Sequence, residues 1–225
     1  MTKKKVFIIA LAVCMIAILS AGSLAWFSAQ DSVKNNFFIA TSDDIDKNKV
    51  FSVDVLERID QDGDGTFEYV EGFDFRNIMP GDLVVKEPLV RNTGYYDQYI
   101  RVTVTISDAE AWVNALGADF DVTDVFVGFD ASKWTHIWNN MHQATEMPEE
   151  IVYVMYYKDI LASGDDISVF THVQIPTDLT QEDTAAFGGD FSISIKADAV
   201  QTENVVPAGT AAEDAAWAAF QTVES

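Results

Sequence analysis

Tyr99-Ile100-Arg101-Val102-Thr103-Val104-Thr105-Ile106-Ser107 alternates without interruption. Ile100, Val102, Val104 and Ile106 share one face; Arg101, Thr103, Thr105 and Ser107 share the other. A period of two with one polar face suits a sheet that packs on one side only. Phe191, Ile193, Ile195, Ala197 and Ala199 alternate with Ser192, Ser194, Lys196 and Asp198 in the same way. Outward from these two runs, further strand candidates are Phe51 to Arg58, Leu83 to Arg91, Val122 to Phe129, Ile151 to Tyr157 and Ile167 to Val173. Phe67 to Phe75 also reads as extended. Pro88 has no N–H to donate, which places its run at a sheet edge or a bulge. Short helices are expected at Asp108 to Leu116, with Asp108 as N-cap, and at Glu213 to Thr222. Seven or eight short strands separated by turn residues point to an all-β sandwich or barrel rather than an α/β enzyme.

Composition narrows the partners. The 225 residues are 48% hydrophobic and 22% charged, which excludes a disordered chain. Fourteen Lys and Arg stand against 36 Asp and Glu, a formal charge of −22. Such a surface repels nucleic acid and anionic lipid, and repels its own copies unless cations screen it.

The first 25 residues read as an address. Lys3, Lys4 and Lys5 form a basic head, Val6 to Leu19 is almost wholly apolar, and Ser20-Ala21-Gly22-Ser23-Leu24-Ala25 ends in a small-residue cleavage pattern. A helix that spans a bilayer needs about 20 apolar residues, and this core reaches that length only if the small residues up to Phe27 are counted. A secretory signal peptide cut between Ala25 and Trp26 is therefore expected, with membrane contact only through the uncleaved leader. Cys14, the single cysteine, leaves with it. A lipidated Cys14 is disfavoured, because Val13 stands where a small residue is needed. The three lysines leave too, so −22 becomes −25. Without a thiol, the mature chain depends on its core, on metal or on its neighbours.

Just past the cut, Trp26-Phe27-Ser28 is followed by Asp31-Ser32-Val33 and Asn35-Asn36-Phe37-Phe38-Ile39-Ala40. Farther on come Asn77-Ile78-Met79-Pro80-Gly81-Asp82, Val90-Arg91-Asn92-Thr93-Gly94, Tyr99-Ile100-Arg101-Val102 and the closing Ala197-Asp198-Ala199-Val200-Gln201. In this order and behind this leader, the chain resembles the TasA/camelysin family of Gram-positive bacteria. The matching stretches cover both ends and the first half; residues 108–190 carry none. The resemblance implies a dedicated signal peptidase during export and a jelly-roll-type β-sandwich with short helical excursions. It also implies a secreted protein of the biofilm matrix or cell surface, whose copies form fibres by passing an N-terminal strand into the next subunit. Other matrix or cell-surface proteins are expected partners. The chain then divides into a leader (1–25), an N-terminal strand segment (26–40) and one acidic domain (41–225).

Cleavage frees an amino end carrying Val33 and the apolar Phe37, Phe38 and Ile39, and a terminal strand pairs with its own sheet or with a neighbour's open edge.

The sharpest chemical motif is Asp60-Gln61-Asp62-Gly63-Asp64-Gly65-Thr66-Phe67-Glu68-Tyr69-Val70-Glu71. Alternating acids with Gly at the sixth position fit a calcium-binding loop of EF-hand type. Asp60, Asp62 and Asp64 are the leading ligand candidates, followed by the Thr66 carbonyl, Glu68 and, last, Glu71. The flanks read as strands rather than helices, and six strand residues beyond Gly65 span about 20 Å. Glu71 reaches the ion only if residues 67–71 curl. A polar hairpin loop is the alternative, since Asp-Gly pairs make turns.

Enzyme signatures are absent. The chain has no His-Glu-x-x-His, no Gly-x-Ser-x-Gly and, past the leader, no cysteine. Because some relatives in the resembling family are metalloproteases, His136, His142 and Glu146 are weighed as a metal site. Six-residue spacing sets the two rings on one strand face, but incidental histidines in an aromatic strand or loop explain them as well. Trp134, Trp138, Tyr153, Tyr156 and Tyr157 suit either sheet packing, the commoner use, or a carbohydrate groove. A non-catalytic fibre-forming protein is the leading expectation, ahead of a calcium-dependent surface adhesion module and a secreted metalloprotease.

Overall fold

The computed structural model describes residues 27–30, 33–35, 51–59, 66, 68–70, 74–117, 122–141, 147–177 and 190–224. Five strands come first: β1 (Phe27–Gln30), β2 (Val33–Asn35), β3 (Val53–Ile59), β4 (Glu68–Val70) and β5 (Asp74–Ile78). Then follow β6 (Leu83–Val85), β7 (Glu87–Asn92), β8 (Gln98–Ser107) and two helices, α1 (Ala109–Leu116) and α2 (Val122–Val125). The remainder is β9 (Phe126–Val127), β10 (Trp134–Asn139), β11 (Glu150–Tyr157), β12 (Asp166–Ser168), β13 (His172–Gln174), β14 (Asp190–Gln201) and the helix α3 (Ala215–Glu224).

The fold is all-β, in three sheets. The largest runs β10-β11-β8-β14-β1-β5, with β2 also on β14; a second runs β12-β7-β3-β4 and a third β6-β13-β9. Every pairing is antiparallel except those of β1 and β2 with β14. Ile100, Val102, Val104 and Ile106 of β8 are fully buried, as the alternation requires, and Ile193, Ile195, Ala197 and Ala199 of β14 lie beside them. Burying each of the larger side chains contributes about 2 kcal/mol. The same core takes in Val53, Val55 and Val90 from the second sheet and Phe126 and Val173 from the third. Trp112 of α1 meets Phe191 edge-on at 5.1 Å, and Phe126 stacks on Phe170 at 4.2 Å.

The helix α3 covers the opposite face of the large sheet. Its small side chains Ala215, Ala216 and Ala219, with Phe220, pack on Tyr99, Tyr156 and Val200. Arg101 fastens it: the guanidinium bonds Asp198 at 3.0 Å and Glu224 at 2.6 Å, and lies 4.6 Å over the Phe220 ring.

Fourteen strands are present among the described residues where seven or eight were expected. Two long runs are each divided between sheets. Leu83 to Arg91 breaks at Lys86, so that β6 joins β13 while β7 joins β3 and β12. Ile167 to Val173 becomes β12 and β13, with Phe170 turning into the core between them. Pro88 is not at an edge: β7 is flanked on both sides. Its carbonyl accepts from Val169 N–H at 3.0 Å, just past the end of β12, so the donor it lacks belongs to a last rung. The first half of Val122 to Phe129 is the helix α2, and only Phe126 and Val127 are strand, since a short apolar run fits either structure. Asp108 does occupy the N-cap of α1, but its carboxylate accepts from Ser107 Oγ at 2.6 Å and caps nothing.

Two turns follow their sequence closely. Met79-Pro80-Gly81-Asp82 closes with Asp82 N–H on the Met79 carbonyl, and Gly81 takes φ +90, which a type II turn requires at that place. Gly128, at φ +81, sits against Thr171; a Cβ there would lie 2.3 Å from Thr171 Oγ1.

Candidate assembly edge

Two short amino-terminal strands, β1 and β2, lie along β14. Ser28, Ala29 and Gln30 stand opposite Asp190, Phe191 and Ser192, and Val33, Lys34 and Asn35 stand opposite Ile195, Lys196 and Ala197. The same numerical offset holds at all six positions, so β1 and β2 share a single parallel register. On its far side β1 meets β5, with Phe27 opposite Ile78 and Gln30 opposite Asp74, and a register shift between Phe27 and Ala29. The first strand among the described residues, β1, thus lies between two strands that do not pair with each other. On its other edge β14 holds β8 through nine antiparallel rungs, from Ile193–Ile106 to Gln201–Gln98.

Of the residues expected in strand exchange, Val33 is in this strand, opposite Ile195. Phe37, Phe38, Ile39, Ala25 and Trp26 lie outside the described residues, as does the leader. So do Asp60, Asp62, Asp64 and Glu71 of the candidate calcium loop. Ile59 stands opposite Glu68 in the antiparallel β3–β4 pair, so strands rather than helices flank the candidate loop. Thr66 is exposed, and Glu68 is exposed within β4.

His142 and Glu146 also lie outside the described residues. His136 is in β10, but that strand ends at Asn139, so strand spacing does not carry through to residue 142. His136 itself breaks the alternation with φ +46, and its Nε2 pairs with Asp214 Oδ1 at 2.9 Å. His172 Nδ1 contacts Thr171 Oγ1 at 2.9 Å.

Two buried polar groups went unread in the sequence. Asn92, fully buried, donates to the carbonyls of Tyr96 (2.8 Å) and Leu161 (2.9 Å) and accepts from Gly94 N–H (3.0 Å), locking the Asn-Thr-Gly turn to the 161–165 loop. Lys86 Nζ lies 2.8 Å from Glu57 Oε1, with the side chains only 2% and 1% exposed. Burial pushes the Glu57 carboxyl up to about 8 and the Lys86 amine well below its ordinary range. Glu57 falls in phase with the buried Val53 and Val55, and Lys86 with Val90. That phasing was the available signal.

No family model matches the chain, and no curated protein or solved structure matches it.

Proposed function

We propose that this chain is a secreted, non-catalytic structural protein of a Gram-positive extracellular matrix, and that its copies assemble into fibres by exchanging the N-terminal strand. The shared parallel register of residues 28–30 and 33–35 on β14, with β5 across from β1, supports this reading. A strand at a chain terminus is tied to its domain at one end only. Withdrawn, it would leave the backbone donors and acceptors of β14 open over residues 190–197, an edge that another copy's identical segment fits. The resulting contact joins unlike surfaces and builds open filaments rather than closed rings. The fifteen residues between Asn35 and Phe51 reach at most about 50 Å when extended, enough to cross to a neighbour.

In this reading the three sheets form a jelly-roll-type sandwich. Calcium, held by Asp60, Asp62 and Asp64 with the Thr66 carbonyl and Glu68, stiffens the β3–β4 hairpin and screens the acidic surface. The leader is removed by a dedicated signal peptidase at Ala25, and matrix or cell-surface proteins are further partners.

Deleting residues 26–40 tests the reading. Electron microscopy of the truncated chain is expected to show no fibres, with assembly inhibited when a free 26–40 peptide is added to the intact mature protein. Undiminished fibres from the truncated chain would refute strand exchange.

A further inference from the structure

Beyond the assembly edge, the large sheet ends at β10, and between β10 and α3 its outer face carries a cleft of about 480 Å³. His136, Ile137, Trp138, Val154, Tyr156 and Trp217 line it. Ile137, Trp138 and Trp217 remain 42%, 40% and 38% exposed, a cluster of large apolar side chains on a surface otherwise rich in acid. Such clusters mark sites of recognition.

The walls are fixed in place. His136 holds a left-handed backbone conformation, which costs about 1–3 kcal/mol and persists only where the surroundings enforce it. Its ring stacks on Trp217 at 4.6 Å and 18°, bonds Asp214 and meets Tyr156 edge-on at 6.4 Å. Tyr156 in turn rests on Phe220 at 5.6 Å. The rings are therefore set before any ligand arrives.

Charge and backbone select the occupant. Asp214 stands beside His136, with Glu213 next to it in sequence, on a chain of net charge −22, which disfavours phosphate, nucleic acid, anionic lipid and acidic peptide. Strand addition to β10 is opposed by the φ of His136 and by the register shift between Thr135 and Trp138. What fits two partly exposed indole rings, with an imidazole–carboxylate pair at the rim, is an uncharged molecule with apolar C–H faces and hydroxyl edges. The volume lies within the range of small-ligand sites.

We propose that the β10–α3 cleft binds a neutral polysaccharide, with Trp138 and Trp217 as stacking platforms and the His136–Asp214 pair receiving sugar hydroxyls. Titration of the intact mature chain with laminarihexaose, cellohexaose and mannohexaose, followed by calorimetry and tryptophan fluorescence, tests it. Saturable binding of at least one hexaose is expected. Affinity should fall about tenfold or more in Trp138→Ala and in Trp217→Ala, a loss of about 1.4 kcal/mol, while Trp138→Phe keeps most of it. Melting temperatures of the variants, compared with the parent, separate lost binding from lost folding.

Four results would overturn the assignment. These are no binding of any of the three sugars at about 10 mM, binding indifferent to both tryptophans, preferential binding of tetramethylammonium, or a change in sedimentation showing that a second copy fills the cleft. Binding and fibre formation are read by different assays, so either can fail alone.

Discussion

Replacing Lys86 by Met removes the amine from the buried pair with Glu57 and keeps most of the stem. In the parent, the pair holds one proton at neutral pH whichever atom carries it. The unfolded chain, with an ionised carboxylate and a charged amine, holds one as well. The pair therefore adds no pH slope near neutrality. In Lys86→Met the balance changes. Glu57, 1% exposed, has no cation beside it and takes a proton to remain inside. Its ordinary value is 4.5, so protonation at pH 7 costs about 3.4 kcal/mol at 1.36 kcal/mol per pH unit. The lost hydrogen bond adds about 1 kcal/mol. A folded carboxyl titrating above its unfolded value favours folding fully below pH 4.5, and that contribution disappears as pH rises towards the raised folded value.

The variant should thus lose about 4 kcal/mol against the parent at pH 7 but only about 2 at pH 5, a slope near 1.4 kcal/mol per unit. Glu57→Leu combined with Lys86→Met should abolish the slope and lie within about 2 kcal/mol of the parent, since replacing both members of a buried pair leaves no stranded charge. Urea unfolding at pH 5, 6, 7 and 8, followed by tryptophan fluorescence, reads all three proteins. An equal loss at pH 5 and pH 7, or a double variant as damaged as the single, would refute this account.

Asn92→Ala should cost about 2–3 kcal/mol, because the Tyr96 and Leu161 carbonyls lose a donor. Asn92→Asp should cost more at pH 7, since a carboxylate would face those carbonyls; equal losses by chemical denaturation would contradict the bonding described. If calcium occupies the 60–71 loop, a concentration a hundredfold above its dissociation constant adds about 2.7 kcal/mol. That raises the melting temperature by roughly 5–10 °C for a domain of this size, and Asp62→Ala should erase the rise. An identical melt in chelator would eliminate a structural ion.

The all-β character was legible because β8 and β14 bury only one face along most of their length, beyond the patch under α3, and a one-sided sheet writes itself as strict alternation. The Pro80-Gly81 turn was legible for a local reason too: fixed φ followed by positive φ closes a turn without outside help. Connectivity was less accessible. Leu83 to Arg91 is one run in sequence, yet its halves serve different sheets, a choice made by partners far along the chain. Trp217 gave no sign of a cleft, because only docking α3 beside β10 brings it to His136. For the candidate assembly edge, apolar composition just past the expected cleavage point raised the expectation of a strand. Its parallel register depends on β14, more than 150 residues away in the chain, and no local pattern encodes it. Glu57 was readable and overlooked: a charge in phase with two buried valines calls for a partner, and Lys86 supplies it.

Parallel alignment on β14 also sets a direction. A row of copies joined through it would have two unlike tips, one showing a vacant slot and the other a loose tail. A shortened copy, with a slot and no tail, could join only at the tail-bearing tip, and would leave that tip showing a body with nothing to offer. A free peptide of the tail sequence would seal the opposite tip. Growth rate and length would then be set separately at each tip, by species that differ from the ordinary subunit only in residues 26–40.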